Sequence, residues 1–222
     1  MFQFPSLNDR TTLIGRTGSG KTQAGAWLLS ESPFDRQPFV ILDYKREPLF
    51  DQIARRKEIS LREVPNKPGL YHLKLLPGED DDALEKWLWK VWRQGSTGLF
   101  FDEGYLVPKN SAAWRSILVT GRSLRLPTFT LSQRPVSLPI WSISEADYYY
   151  VFHLNRKEDW DKVAGFVPQN ENIWAENVRL PKFHSRWYDV GADQSLVLGP
   201  APQAAHILGR FDERLKPRKR II

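Results

Sequence analysis

Hydrophobic positions in this chain fall into short, nearly unbroken runs, separated by stretches in which apolar residues recur every three or four positions. The runs are Thr11–Gly15 (TTLIG), Pro38–Asp43 (PFVILD), Tyr71–Leu76 (YHLKLL), Gly98–Glu103 (GLFFDE), Thr128–Gln133 (TFTLSQ) and Tyr148–Leu154 (YYYVFHL). Runs of this length without polar alternation predict strands buried on both faces, as in a parallel sheet covered by helices. Lys21–Ser30 and Ser111–Ser123 read as two of those helices. A third follows the acidic cluster Gly78–Asp82, whose charges suit a helix N-terminus, and it carries Leu84, Trp87, Leu88, Val91 and Trp92 on one face. Aromatic residues at that spacing predict core packing rather than base stacking. Asn155 is placed to cap a further helix running to Gly165. Past Pro181 the pattern changes to two strands around Gly191, a β-hairpin over about 182–199. The expected fold is α/β: a central, mostly parallel sheet flanked by helices, with a C-terminal β-hairpin, in a single domain over residues 1–209.

Composition narrows the chemistry. The chain has 222 residues, 41% of them hydrophobic, enough for one sizeable core. No stretch approaches the roughly 18 apolar residues of a membrane span, and the N-terminus lacks a basic region followed by an apolar run, which argues against a secreted or integral membrane protein. The absence of cysteine excludes disulfides, thiolate metal sites and a cysteine nucleophile. Four histidines, His72, His153, His184 and His206, lack metal-ligand spacing, so any metal must be held by oxygen. The formal charge is +6, and residues 210–222 contribute six basic side chains against two acids. Such a basic C-terminal tail reads as a solvated end, with a nucleic-acid contact as the sharper alternative.

The strongest motif is Gly15-Arg16-Thr17-Gly18-Ser19-Gly20-Lys21-Thr22, a phosphate-binding loop lying between a predicted strand and a predicted helix. Gly18 and Gly20 are free to adopt positive φ and turn backbone N–H groups toward a phosphate chain at a helix N-terminus. Lys21 is the residue that reaches the β- and γ-phosphates of ATP, and Thr22 offers a hydroxyl to Mg²⁺. Asp102 and Glu103 emerge from a buried strand, Asp102 to support Mg²⁺ and Glu103 to act as general base on the attacking water. Gln133 ends the next strand, where it would sense the γ-phosphate or the water. Arg122 and Arg125, on the turn before that strand, are candidates for an arginine finger supplied to a neighbouring subunit, Arg122 being preferred.

The ordered set GRTGSGKT, VILDYKRE, LFFDE and GRSLRLPTFTLSQRP resembles the FtsK/HerA superfamily of DNA-pumping ATPases, over roughly Thr11 to Pro135. Asp43 and Lys45 after the second strand are part of that likeness. A bare core of this size is similar to the genome-packaging ATPases of tailless icosahedral viruses with an internal membrane. The resemblance implies a RecA-like (ASCE) sheet, a homo-oligomeric ring, a hexamer, and sequence-nonspecific double-stranded DNA threaded through it. It further implies capsid-vertex partners and a place in the host cytoplasm or the virion. Two other readings stay open: a P-loop kinase with Asp43 as its base, and a plasmid or cellular DNA pump or ATP-dependent assembly factor. A glutamate beside the Mg²⁺ aspartate favours hydrolysis over kinase chemistry, because a kinase must exclude water.

Overall fold

The structure, a computed structural model, describes residues 2–166 and 179–217; Arg218, Lys219 and Arg220 of the basic tail lie outside the described residues. A sheet of nine strands runs in the order β3-β4-β2-β5-β6-β1-β7-β8-β9. Its parallel part comprises β1 (Arg10–Ile14), β2 (Pro38–Asp43), β3 (Lys57–Ile59), β4 (Gly69–Lys74), β5 (Gly98–Phe101), β6 (Thr128–Ser132) and β7 (Tyr148–Val151). β8 (Ser185–Asp189) and β9 (Gln194–Leu198) add an antiparallel hairpin at one edge, with Tyr150 opposite Trp187. The apolar runs thus form the central strands, and β1, β2, β5 and β6 are buried along their whole length.

The strand period of two sorts these residues between two cores. Val40, Leu42, Leu99, Phe101, Tyr149 and Val151 face helices α3 (Asp81–Gln94), α4 (Ala112–Thr120) and α5 (Trp141–Ser144). Phe39, Ile41, Phe100, Leu131 and Tyr150 face the opposite core, with α1 (Lys21–Ser30), α2 (Pro48–Asp51) and the last helix, α7 (Ala204–Arg214). Gly25 sets how closely α1 approaches the sheet, since a methyl there would lie 3.0 Å from Leu131 and 3.1 Å from Phe100. Trp87 is buried as its spacing predicts, its indole N–H donating to the carbonyl of Glu63 at 2.7 Å, while Trp92 is half-buried and donates to Thr120. No helix among the described residues is long and apolar enough to cross a membrane.

Three features depart from the pattern reading. β3 was not foreseen; it is a three-residue edge strand, KEI, with two exposed positions and no apolar run. Asn155 does not cap a helix: α6 spans Lys157–Ala164, and the Asn155 side-chain oxygen Oδ1 accepts from the Arg16 guanidinium at 3.2 Å. The boundary expected at Gly209 falls inside α7, where Ile207 and Phe211 are buried. Arg210 and Arg214 are held there against α1, bonding Glu31 at 2.6–2.8 Å, and do not belong to a solvated tail.

Candidate active site

Parallel strands deliver their C-terminal ends to one edge of the sheet, where their following residues meet. Gly15 follows β1, Asp43 closes β2, Asp102 and Glu103 follow β5, and Gln133 follows β6. Because β6 lies between β1 and β5, the phosphate loop and the acidic pair stand one strand apart, with Gln133 between them. A cleft of about 530 Å³ opens at this edge, lined by the loop from Arg16 to Gln23 and by Lys45, Glu47 and Gln133.

Gly18 and Gly20 have φ of +73° and +90°, the left-handed values the motif calls for. Gly20 caps α1, so the loop ends on the helix N-terminus. Thr22 Oγ1 donates to Asp102 Oδ1 at 3.2 Å. Asp102 Oδ2 is buried with no hydrogen-bond partner among the described residues, and burial pushes the Asp102 carboxyl up to about 6 against the pull of Lys45 and Lys21. A hydroxyl beside an under-compensated carboxylate is a hard-oxygen donor set that fits Mg²⁺.

Glu103 is wholly buried and its φ of 134° is a rare one for a residue with a side chain, a strain of the order of 1–3 kcal/mol stored at the site. Its Oε1 receives Gln133 Nε2 at 2.7 Å and Lys21 Nζ at 3.4 Å, and it forms an ion pair with Lys45. Thr17 donates in turn to Gln133 Oε1, so a chain of hydrogen bonds links phosphate loop, Gln133 and Glu103. Burial lowers Lys21 and Lys45 to about 8 each, Lys45 further by its neighbour Lys21.

The arginines lie elsewhere. Arg122 is exposed and pairs with Asp147, which also binds the backbone N–H of Arg10 at the start of β1. Arg125 has a left-handed φ of 55° on the same turn before β6. Both therefore sit at the edge opposite the phosphate loop of their own chain. None of Asp43, Asp102 and Glu103 lines the cleft itself, but Asp102 and Glu103 bond the lining residues Thr22 and Gln133, whereas Asp43, the base of the kinase reading, is turned to backbone and His72. Its carboxylate accepts from the backbone N–H of Lys45 at 3.0 Å and of Glu47 at 3.2 Å, and bonds His72 Nε2 at 3.0 Å. Lys45 is the site residue that motif reading assigned no role; the segment DYKRE carries it, but only the fold brings it to Glu103.

The DNA packaging ATPase P9 of Enterobacteria phage PRD1 is 38% identical over 215 residues, covering 95% of this chain and 95% of that protein. The chain belongs to the P9 family of DNA packaging ATPases. No family model matches it. Among solved structures, the genome packaging NTPase B204 of Sulfolobus turreted icosahedral virus 2, in complex with sulfate, is similar with a TM-score of 0.70 at 18% identity, covering 90% of this chain and all of that one. VirB4 of Thermoanaerobacter pseudethanolicus has a TM-score of 0.64 at 9% identity, covering 87% and 90%. At those identities the likeness is one of fold. The expected α/β P-loop architecture and the resemblance to viral packaging ATPases are both borne out.

Proposed function

We infer that this protein is an ATP-driven motor that packages a double-stranded DNA genome into a preformed capsid. The observation that carries this reading is that Lys21, Thr22 and Gln133, which line one cleft, bond the buried carboxylates of Asp102 and Glu103 behind it, in a chain of the P9 family. B204, of the same fold, has been solved in complex with ATPγS and with AMPPCP, which supports ATP as the ligand of the loop. Residues Gly15 to Thr22 cradle the phosphates and Lys21 reaches the terminal ones. Thr22 and Asp102 would hold Mg²⁺, which would neutralise charge on the phosphate oxygens. Glu103 takes a proton from the attacking water, and Gln133, tied to Thr17 and Glu103, links the loop to the base.

Arg122 serves the neighbouring subunit. Its position at the far edge of the sheet from its own loop suits a ring in which each site is completed in trans, and the hexamer is the ring we propose. A translocase must grip every sequence, so DNA contacts go to phosphates and are sequence-nonspecific. The place we propose for the motor is the host cytoplasm or the virion, with capsid-vertex proteins as its partners.

The test is the ATPase rate with and without long double-stranded DNA, alongside solution mass with nucleotide. DNA stimulation and a ring-sized particle are expected. A monomer that hydrolyses ATP indifferently to DNA, or that transfers phosphate to a small acceptor, overturns the reading.

A further inference from the structure

Glu103 has more cations than a general base needs. Its Oε1 is met by Lys21, Lys45 and the Gln133 amide, whereas Oε2 is buried with no hydrogen-bond partner among the described residues. The two lysines come from different places. Lys21 belongs to the phosphate loop, and in a P-loop ATPase its charge is committed to the β- and γ-phosphates once ATP is present. Without Lys45, the fully buried Glu103 would then keep only a neutral amide, and a buried carboxylate stripped of its counter-charge is strongly disfavoured. A second cation is required on an element independent of the loop.

Lys45 meets that requirement. It sits on the turn between β2 and α2 at the cleft wall, with its side chain partly exposed, and that turn is braced from behind. Asp43 accepts the backbone N–H of Lys45 at 3.0 Å and of Glu47 at 3.2 Å. His72 on β4 holds the Asp43 carboxylate at 3.0 Å. Arg56 donates to His72 Nδ1 at 3.1 Å, which leaves the ring proton on Nε2, facing Asp43. Three residues from separate segments, Asp43, His72 and Arg56, thus fix one backbone segment, and nothing in that chain of contacts involves the phosphate loop.

We propose that Lys45 is a positioning residue for hydrolysis, braced by Asp43 and His72, which keeps Oε1 of Glu103 fixed while Lys21 serves the phosphates and so presents Oε2 to the attacking water. This rests on the reading of Glu103 as the base. The role differs from that of a second phosphate ligand, and the two are separable: a positioning lysine affects the chemical step, a phosphate ligand affects binding.

The experiment measures ATP affinity and the single-turnover hydrolysis rate of the full chain for the wild type, Lys45→Met, Lys45→Arg, His72→Phe and Glu103→Gln. In Lys45→Met the rate falls at least about 100-fold, within the range of general-base effects, while ATP affinity stays within about threefold. That retained affinity also reports an intact fold. Lys45→Arg recovers at least about tenfold of the loss, and His72→Phe slows hydrolysis about tenfold through the loosened brace. A Lys45→Met protein hydrolysing at wild-type rate overturns the proposal. So does a loss of ATP affinity beyond about tenfold, with or without a rate effect, since it assigns Lys45 to the phosphates. Wild-type hydrolysis by Glu103→Gln removes the underlying reading; an inactive Glu103→Gln beside an active Lys45→Met removes the positioning role alone.

Discussion

Replacing Glu103 by glutamine changes no volume and removes one negative charge, and its consequence for nucleotide binding follows from the Lys21 contact. Lys21 Nζ lies 3.4 Å from Glu103 Oε1, with both side chains almost wholly buried. At an effective dielectric constant near 20 that separation corresponds to an attraction of about 5 kcal/mol. Lys21 must give up this attraction to reach the phosphates. Even a third of it, released when the carboxylate becomes an amide, tightens ATP binding about tenfold, because about 1.4 kcal/mol is one decade in Kd. Loss of the base lowers hydrolysis by about 10² to 10⁴. Glu103→Gln should therefore bind ATP more tightly and turn it over far more slowly. The assays are equilibrium titration with a fluorescent ATP analogue and single-turnover phosphate release. The tightening should persist at 0.5 M salt, since a buried pair is poorly screened. Unchanged or weaker ATP binding by the variant would refute the idea that this ion pair opposes the nucleotide.

Three further outcomes are expected. Arg122→Ala and Lys21→Ala proteins, each inactive alone, should regain partial ATPase activity when mixed, because some interfaces then pair an intact loop with an intact arginine; no recovery despite demonstrated subunit exchange would place Arg122 outside the neighbour's site. Phe211→Ala, which removes a fully buried ring packed 5.9 Å from that of Phe34, should cost about 3–5 kcal/mol and lower Tm by roughly 10 °C in calorimetry. Lys21, lowered to about 8, sheds its charge as pH rises through that value, whereas a bound polyphosphate favours the charged form. ATP affinity should thus fall between pH 7.5 and 9.5, with proton uptake on binding seen by titration calorimetry in two buffers; a flat profile contradicts the assignment.

What the sequence determined by itself is whatever lies in contiguous residues. Gly15 to Thr22 form the phosphate loop because their order alone dictates a tight turn with positive φ at Gly18 and Gly20, and a helix start at Lys21. Strands β2, β5 and β6 are legible because burial on both faces demands unbroken apolar runs, and the polar residues that end them must fall at one edge. Asp102, Glu103 and Gln133 were readable for that reason. Only the tertiary structure decided where separated charges meet. Lys45 carries the family likeness but no role until β2 and β5 pair and bring it to Glu103. His72, on a strand of moderate pattern, became a brace only when β4 paired with β2 and set it opposite Ile41, beside Asp43. Arg210 and Arg214 read as a solvated end because their partner, Glu31, lies 179 and 183 positions away along the chain. Arg122 was placed at the far edge by its position before β6, which no local pattern relates to the loop after β1. Local steric and apolar rules act between neighbours in sequence, whereas ion pairs are set by distance in space, which the strand order imposes.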